Sequence, residues 1–391
     1  QLENTAWPTR RTEAWRYTSL HALKDLTLAQ PSATPANREA PEVADLNSLD
    51  IVFVDGVPTT DISALPMPEG LHVYPLNTDN QEAQTQAQGV FNQAKNESHL
   101  FGLVNDALAQ QGVVIDVAAG AVIEQPIRIV NYVSAGVESH NRVLVKLGEK
   151  SQVTIIEHGA GEGNSMNTAF AEYLIGDEAK LEHYRFALHG QEAIHIGGSH
   201  FKLGEAARLN STIVGYGSQV SRLDTDIVHA AEHADAKVNC IYLLAPNEHF
   251  DLHSLMEHAE PNGTTEQNAR GIVGDKGRAV FSGRILIHKD AQKTLAELHN
   301  RNLLLSRGAQ VSTKPALEIY ADDVQCAHGA TIAEIDEDDL YYMQTRGINR
   351  DQALVMLNFG FIQELVKQMP NKALAAWLEP LLRERFKAME P

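Results

Sequence analysis

Cysteine is nearly absent from this chain: 391 residues carry two, Cys240 and Cys326. A large secreted β protein commonly holds several paired cysteines, so this count fits a reducing compartment and offers no disulfide framework. Positive charge is short as well. Asp and Glu number 51 against 32 Lys and Arg, a formal net charge of −19. That excess repels phosphate backbones and anionic headgroups, which argues against nucleic-acid and membrane-surface roles, although Arg10, Arg11 and Arg16 cluster locally. No apolar run reaches the ~18 residues that a spanning helix needs. The opening Gln1-Leu2-Glu3-Asn4-Thr5 lacks the basic-then-apolar pattern of a secretory signal, so the expected location is cytoplasmic. Gly148-Glu149-Lys150-Ser151 has no upstream glycine to make a phosphate loop, and neither a Gly-x-Ser-x-Gly elbow nor a His-Glu-x-x-His zinc motif occurs. Carboxylates abound, but no spacing singles out an acid/base pair.

What is present falls into three zones. Residues 1–112 read as a mainly helical domain with a linker and short strands. A helix is expected through Glu13, Trp15, Tyr17 and Leu20, then a Pro/Ala/Ser-rich linker from Gln30 to Pro41. Ile51–Val54 and Leu71–Tyr74 look like strands, and Leu100, Leu103, Val104, Ala107 and Leu108 have helical spacing, with Gly112 placed as the C-terminal cap. Residues 335–391 read as helices capped by Asp336, Asn349 and Asn371, with Gly347 ending the first.

Residues 113–334 change to the alternation of strands. Glycines recur every 28 residues at Gly120, Gly148, Gly176 and Gly204, and around three of them the text repeats as apolar, Gly, acidic, any, small, polar, apolar. Looser copies stand at His233–Val238, Gly274–Ala279 and Ser306–Val311. The expectation is a β-solenoid: glycine supplies a positive φ at each corner, and stacking the coils at ~4.8 Å builds one core. Antiparallel hairpins, with two strands per 28 residues, fit the same spacing. Helical zones on both sides would cover the open edges of a solenoid.

Cys326-Ala327-His328-Gly329 is the strongest chemical candidate. On a strand, Cys326 and His328 share a face. Thiolate and imidazole suit zinc, iron or an iron–sulfur cluster, but two ligands leave a ~four-coordinate site half made. Either there is no metal, or another chain completes the site; a cysteine beside a histidine is also commonly structural. His249, Asp251 and His253 alternate, with His258 five residues further on, and read either as a metal site or as a polar strand face. His288 and His299 have no companions, and Cys240 is expected in the core.

Several blocks closely resemble the SufB/SufD family. They are Pro8-Thr9-Arg10-Arg11-Thr12-Glu13-Ala14-Trp15-Arg16-Tyr17-Thr18, Arg278-Ala279-Val280-Phe281-Ser282-Gly283-Arg284-Ile285, Ala291-Gln292-Lys293-Thr294, Asn302-Leu303-Leu304-Leu305-Ser306, Lys314-Pro315-Ala316-Leu317-Glu318-Ile319, and Ala321 through Thr331. The resemblance spans nearly the whole chain, and the His-Gly-Ala-Thr ending is similar to the SufD side of the family. It implies a mainly β chain, a right-handed parallel β-helix flanked by helical domains. It implies a non-catalytic scaffold in iron–sulfur cluster assembly that pairs with a SufB-like paralogue and docks a SufC-like ATPase, with the ATP site in that partner. No tightly bound cofactor is then expected, only transient iron or a cluster shared across the interface at Cys326 and His328. Tyr341, Arg346, Met356 and Phe359 become candidates for docking the ATPase. Ala333 departs from the family pattern, where glycine is expected. A homodimer of the isolated chain is also compatible with open solenoid ends. The competing class is a β-helix enzyme acting on acidic polysaccharide, which would call for export and a cationic or calcium-binding groove; the sequence displays neither.

Overall fold

The computed structural model describes residues 2, 5–24, 26–32, 35–95, 99–334 and 336–389. Along the chain the first strands are β1 (Leu49–Val54), β2 (Val57–Pro58), β3 (Leu71–Pro75), β4 (Gln111–Val117), β5 (Ile127–Val133) and β6 (Glu138–Leu147). Then come β7 (Gln152–Gly161), β8 (Met166–Ile175), β9 (Lys180–His189), β10 (Ile194–Leu203), β11 (Arg208–Tyr216), β12 (Val220–His229) and β13 (Asp235–Leu244). The last are β14 (His249–His258), β15 (Thr264–Val273), β16 (Arg278–Ile287), β17 (Leu295–Leu304), β18 (Gln310–Ile319) and β19 (Gln325–Glu334). From β4 onward the even strands form one parallel sheet and the odd strands the other, so the chain winds a parallel β-solenoid of about eight turns. The hairpin alternative is thereby replaced.

Each coil stacks in register on the next, which sets apolar ladders along the interior. Val117, Leu147, Ile175 and Leu203 lie side by side on four successive coils, and Val153, Leu181, Leu209 and Ala236 do the same on the facing sheet. All eight are buried in one cluster that runs through the solenoid. Each fully buried aliphatic side chain contributes ~1.5–3 kcal/mol relative to exposure.

The corners correct the expected use of glycine. Gly120 has φ +73°, but Gly148, Gly176 and Gly204 do not adopt positive φ; the left-handed residues are Lys150, Glu178 and Ala206, two positions on. Gly120 belongs to that second column: its N–H meets the carbonyl of Glu149 on the next coil, as Lys150 meets Asp177 and Glu178 meets Glu205. The other glycines are there for close approach. A Cβ at Gly176 would lie 2.6 Å from the Leu147 carbonyl oxygen, and one at Gly148 2.5 Å from the Ala119 nitrogen. His233 extends the left-handed column, whereas the copies at Gly274 and Ser306 lie on the opposite corner, entering β16 and β18.

The helices are α1 (Gln81–Val90), α2 (Leu100–Leu108), α3 (Glu337–Thr345), α4 (Arg350–Leu354), α5 (Gly360–Gln368) and α6 (Lys372–Ala388). The expected caps are in place: Asp336 accepts from Asp338 and Asp339, Asn349 from Gln352, and Asn371 from Leu374. Two expectations near the N-terminus fail. Gly112 caps nothing; it lies in β4, where a Cβ would sit 2.0 Å from the Arg142 carbonyl oxygen. The first helix is replaced by two 3-10 turns, Glu13–Trp15 and Leu20–Leu23. The Ala14 carbonyl that an α-helix would use is taken by the Arg222 guanidinium, and the Thr18 N–H bonds Trp15 instead.

Among the described residues the helices lie over the sheet faces, not over the strand edges. Helices α3–α6 lie across the outer face of the odd-strand sheet, where Leu374, Leu378 and Leu382 pack with Tyr184, Phe186 and Ile241. The N-terminal turns and α2 lie across the even-strand sheet, where Trp15 and Phe101 meet Phe170 and Ile196. With both faces covered, the central strands are buried nearly end to end, and their outward-facing polar residues, such as Arg222 and Asp226 of β12, are buried too. Both ends of the stack are edges: the first coil ends on the short antiparallel strands β2 and β3, the last on the full-length parallel strands β18 and β19, each paired on one side only.

Candidate functional site

Strand β19 puts Cys326 and His328 at the open end. Cys326 stands beside Ala296 and His328 beside Leu298, both fully buried residues of the interior. The pair therefore occupies core-facing positions on a coil that no further coil covers; Cys326 is half-buried and His328 exposed. Burial raises the Cys326 thiol above its ordinary pKa, and a backbone contact with Ala296 offsets this only in part. In the isolated chain Cys326 is a protonated thiol, and a metal or cationic neighbour is what would convert it to a ligand. The donor set suits zinc, iron or a cluster, and its exposure leaves room for ligands from another molecule. Ala333 pairs regularly with Leu303, so the ladder is unbroken where glycine was expected.

Around the pair the last coil is incompletely closed. Val311, Leu317 and Val324 pack on the core only partly buried, while Ile319, Tyr320 and Ile332 are exposed. Of the C-terminal candidates, Tyr341 is 69% and Met356 62% exposed. Arg346 bonds the Tyr342 hydroxyl at 2.8 Å and stacks over its ring. Phe359 is separated from them: it is 2% exposed and packs edge-on against Phe386, under Arg383. Residues Val355–Phe359 form a π turn between α4 and α5, a distortion frequent at functional sites.

The histidines near position 250 are divided by the pleat. His249, Asp251 and His253 share the outer face of β14. Thr18 lies 2.8 Å from His249 Nε2 and donates to Asp251, which also receives Arg222 at 3.2 Å and lies 3.0 Å from His253. This group fastens the N-terminal segment to the sheet. His258 does not join it; it stacks on His229 at 4.0 Å, with both rings bonded to Thr265. Cys240 is fully buried, as expected.

Under the N-terminal segment lies a cavity of about 770 Å³, lined among others by Trp15, His99, Arg222, Asp224, Asp226 and His253. Asp226 Oδ2 is 3.0 Å from His99 Nε2 and 3.0 Å from His200 Nδ1. Burial favours the neutral acid, but the bonds to His200 and His99 outweigh it and hold the Asp226 carboxyl well below the usual range. Sequence reading missed this group because its members come from three separate elements. The signal was Arg222-x-Asp224-x-Asp226, alternate charges on a strand flanked by apolar ones.

Two family models match the chain: the SUF system FeS cluster assembly SufBD core domain over residues 130–361, and the SufBD protein N-terminal region over residues 1–129. The chain is 31% identical to the iron–sulfur cluster assembly protein SufD of Escherichia coli, over 96% of this chain and 88% of that protein. It is 27% identical to an iron–sulfur cluster assembly SufBD family protein of Synechocystis, over 94% and 85% of the two chains. It is also 27% identical to the chloroplastic protein ABCI7 of Arabidopsis thaliana, over 95% and 81%. With a solenoid whose last coil carries Cys326 and His328, and with family matches along its length, this chain belongs to the SufBD family of iron–sulfur cluster assembly proteins.

Proposed function

We propose that the chain is a non-catalytic scaffold of cytoplasmic iron–sulfur cluster assembly, whose open final coil pairs with a SufB-like paralogue. The observation that carries this reading is the coincidence of three features on one coil: unpaired edges on β18 and β19, partly buried core residues, and the Cys326/His328 pair. A second solenoid meeting this end would satisfy the free backbone groups, bury the apolar remainder and add the missing ligands. Iron or a nascent cluster is then a passing cargo of the interface. Helix α3 and the π turn after α4, with exposed Tyr341 and Met356, offer the face for a SufC-like ATPase; Phe359, buried in the same turn, anchors it.

The test is anaerobic co-expression with a SufB-like and a SufC-like protein. A stable complex is expected, and failure of the three to co-purify would sink the reading. His328→Ala should lower cluster yield in the complex while leaving the chain folded; unchanged yield removes His328 from the mechanism. Release of uronate from acidic polysaccharide by the purified chain alone would replace the scaffold with an enzyme.

A further inference from the structure

We propose that His99, His200 and Asp226 form a binding site for one divalent first-row transition metal ion, zinc or ferrous iron by ligand chemistry, opening on the cavity beneath the N-terminal segment. Nothing in the pairing proposed above requires this site, which lies on the outer face of the even-strand sheet rather than on the final coil. Two imidazoles and one carboxylate are the donor set of open zinc sites and of non-haem ferrous sites.

The geometry fits such an ion. The three candidate donor atoms lie within 4.8 Å of one another, and each imidazole nitrogen is 3.0 Å from the same carboxylate oxygen. Donors about 2.0–2.2 Å from a metal stand about 3–3.5 Å apart, and the two histidine–carboxylate spacings already lie at the short end of that range. Two ligands sit on neighbouring strands at adjacent register: Phe201 pairs with Ile227, which sets His200 beside Asp226. Phe170 stacks parallel to the His200 ring, and Gly198 leaves room for it, since a Cβ there would lie 2.7 Å from His200 Nε2. That Nε2 is buried without a hydrogen-bond partner, so the ring is held in place by packing and by its Nδ1 contact alone. The third ligand, His99, arrives from above as the residue preceding α2.

The surroundings also suit a cation. The other nitrogen of His99 is 3.8 Å from Asp224, which Arg222 fixes through two bonds of 2.8 and 3.1 Å. A carboxylate behind a ligating imidazole is the usual orienting partner in metal sites. Asp224, Asp226 and Asp251 together outnumber Arg222 as buried charges here, and a divalent ion would redress that balance. His99 is the partly exposed member, so the open coordination position faces the cavity.

The experiment titrates the full-length, chelator-treated chain with Co²⁺ as a spectroscopic probe and with Zn²⁺ as competitor. One Co²⁺ per chain is expected, with visible ligand-field bands, no sulfur-to-cobalt charge transfer, and displacement by Zn²⁺. His99→Ala and Asp226→Asn should each weaken binding at least ~10-fold, while Cys326→Ser/His328→Ala should leave it intact. His99 makes no side-chain capping bond to α2, so His99→Ala decides the matter even if Asp226→Asn fails to fold. Absence of stoichiometric Co²⁺ binding, binding indifferent to His99→Ala, or binding lost with the cysteine variant would each overturn the site.

Discussion

Cys240 and Cys326 both point into the solenoid, yet their surroundings separate them. Cys240 is sealed in the middle of the core, where burial alone raises its pKa. Cys326 has core on one side and solvent on the other, and its thiol is raised less severely. In the native chain, iodoacetamide should therefore modify Cys326 more slowly than an unperturbed thiol at neutral pH, and should spare Cys240 until the chain unfolds. Mass spectrometry of the labelled peptides checks both; prompt labelling of Cys240 would contradict its burial. A SufB-like partner should then shield Cys326. The pair was legible in the sequence because residues two apart on one strand share a face. The group at His99, His200 and Asp226 was not, because only the packing of α2 over β10 and β12 brings it together.

At the scale of elements, the caps at Asp336, Asn349 and Asn371 could be read directly, since a side chain that accepts a helix's first N–H groups acts locally. The corners could be located but not assigned. Spacing shows that glycine is required, not whether for its φ or for its missing Cβ. The structure separates the two, and stability measurements should as well. Gly176→Ala drives a methyl group against the Leu147 carbonyl and should cost about 1–3 kcal/mol. Glu178→Gly, at a left-handed residue, should change stability by less than ~1 kcal/mol, because relief of the strained φ offsets the entropy of glycine. Urea midpoints of the two variants check the assignment, and equal losses would contradict it. Which faces the helices cover was hidden from the sequence, because the outer face of a strand such as β12 is polar yet buried, so polarity there does not mark solvent.

For the whole molecule, buried histidines make stability depend on pH. Burial lowers the pKa of His158 and His229 to about 4 and of His189 to about 3. These rings are neutral in the fold, whereas in the unfolded chain they take up protons below about 6.5. Stability is complete above about pH 6.5 and falls as pH drops through the folded values, by up to about 1.4 kcal/mol per pH unit for each group. Urea unfolding at stepped pH should show this slope, and His229→Gln should flatten it. The exposed apolar residues of the last coil give a second whole-molecule expectation. The isolated chain should self-associate through that end, and Ile319→Lys with Ile332→Lys should shift sedimentation toward monomer. Unchanged association would place the contact elsewhere.

The two ends of the solenoid differ in one further respect. The first coil is finished by antiparallel strands, one of them ending in Pro58, which has no N–H to offer a neighbour. The last coil ends instead on two ten-residue parallel strands, β18 and β19. In the language of polymer chemistry the two termini differ in reactivity: a two-residue strand ending in a residue without an N–H is a poorer template than the ten-residue strands β18 and β19. Edge-to-edge growth should therefore start at the Cys326/His328 coil rather than at the first coil.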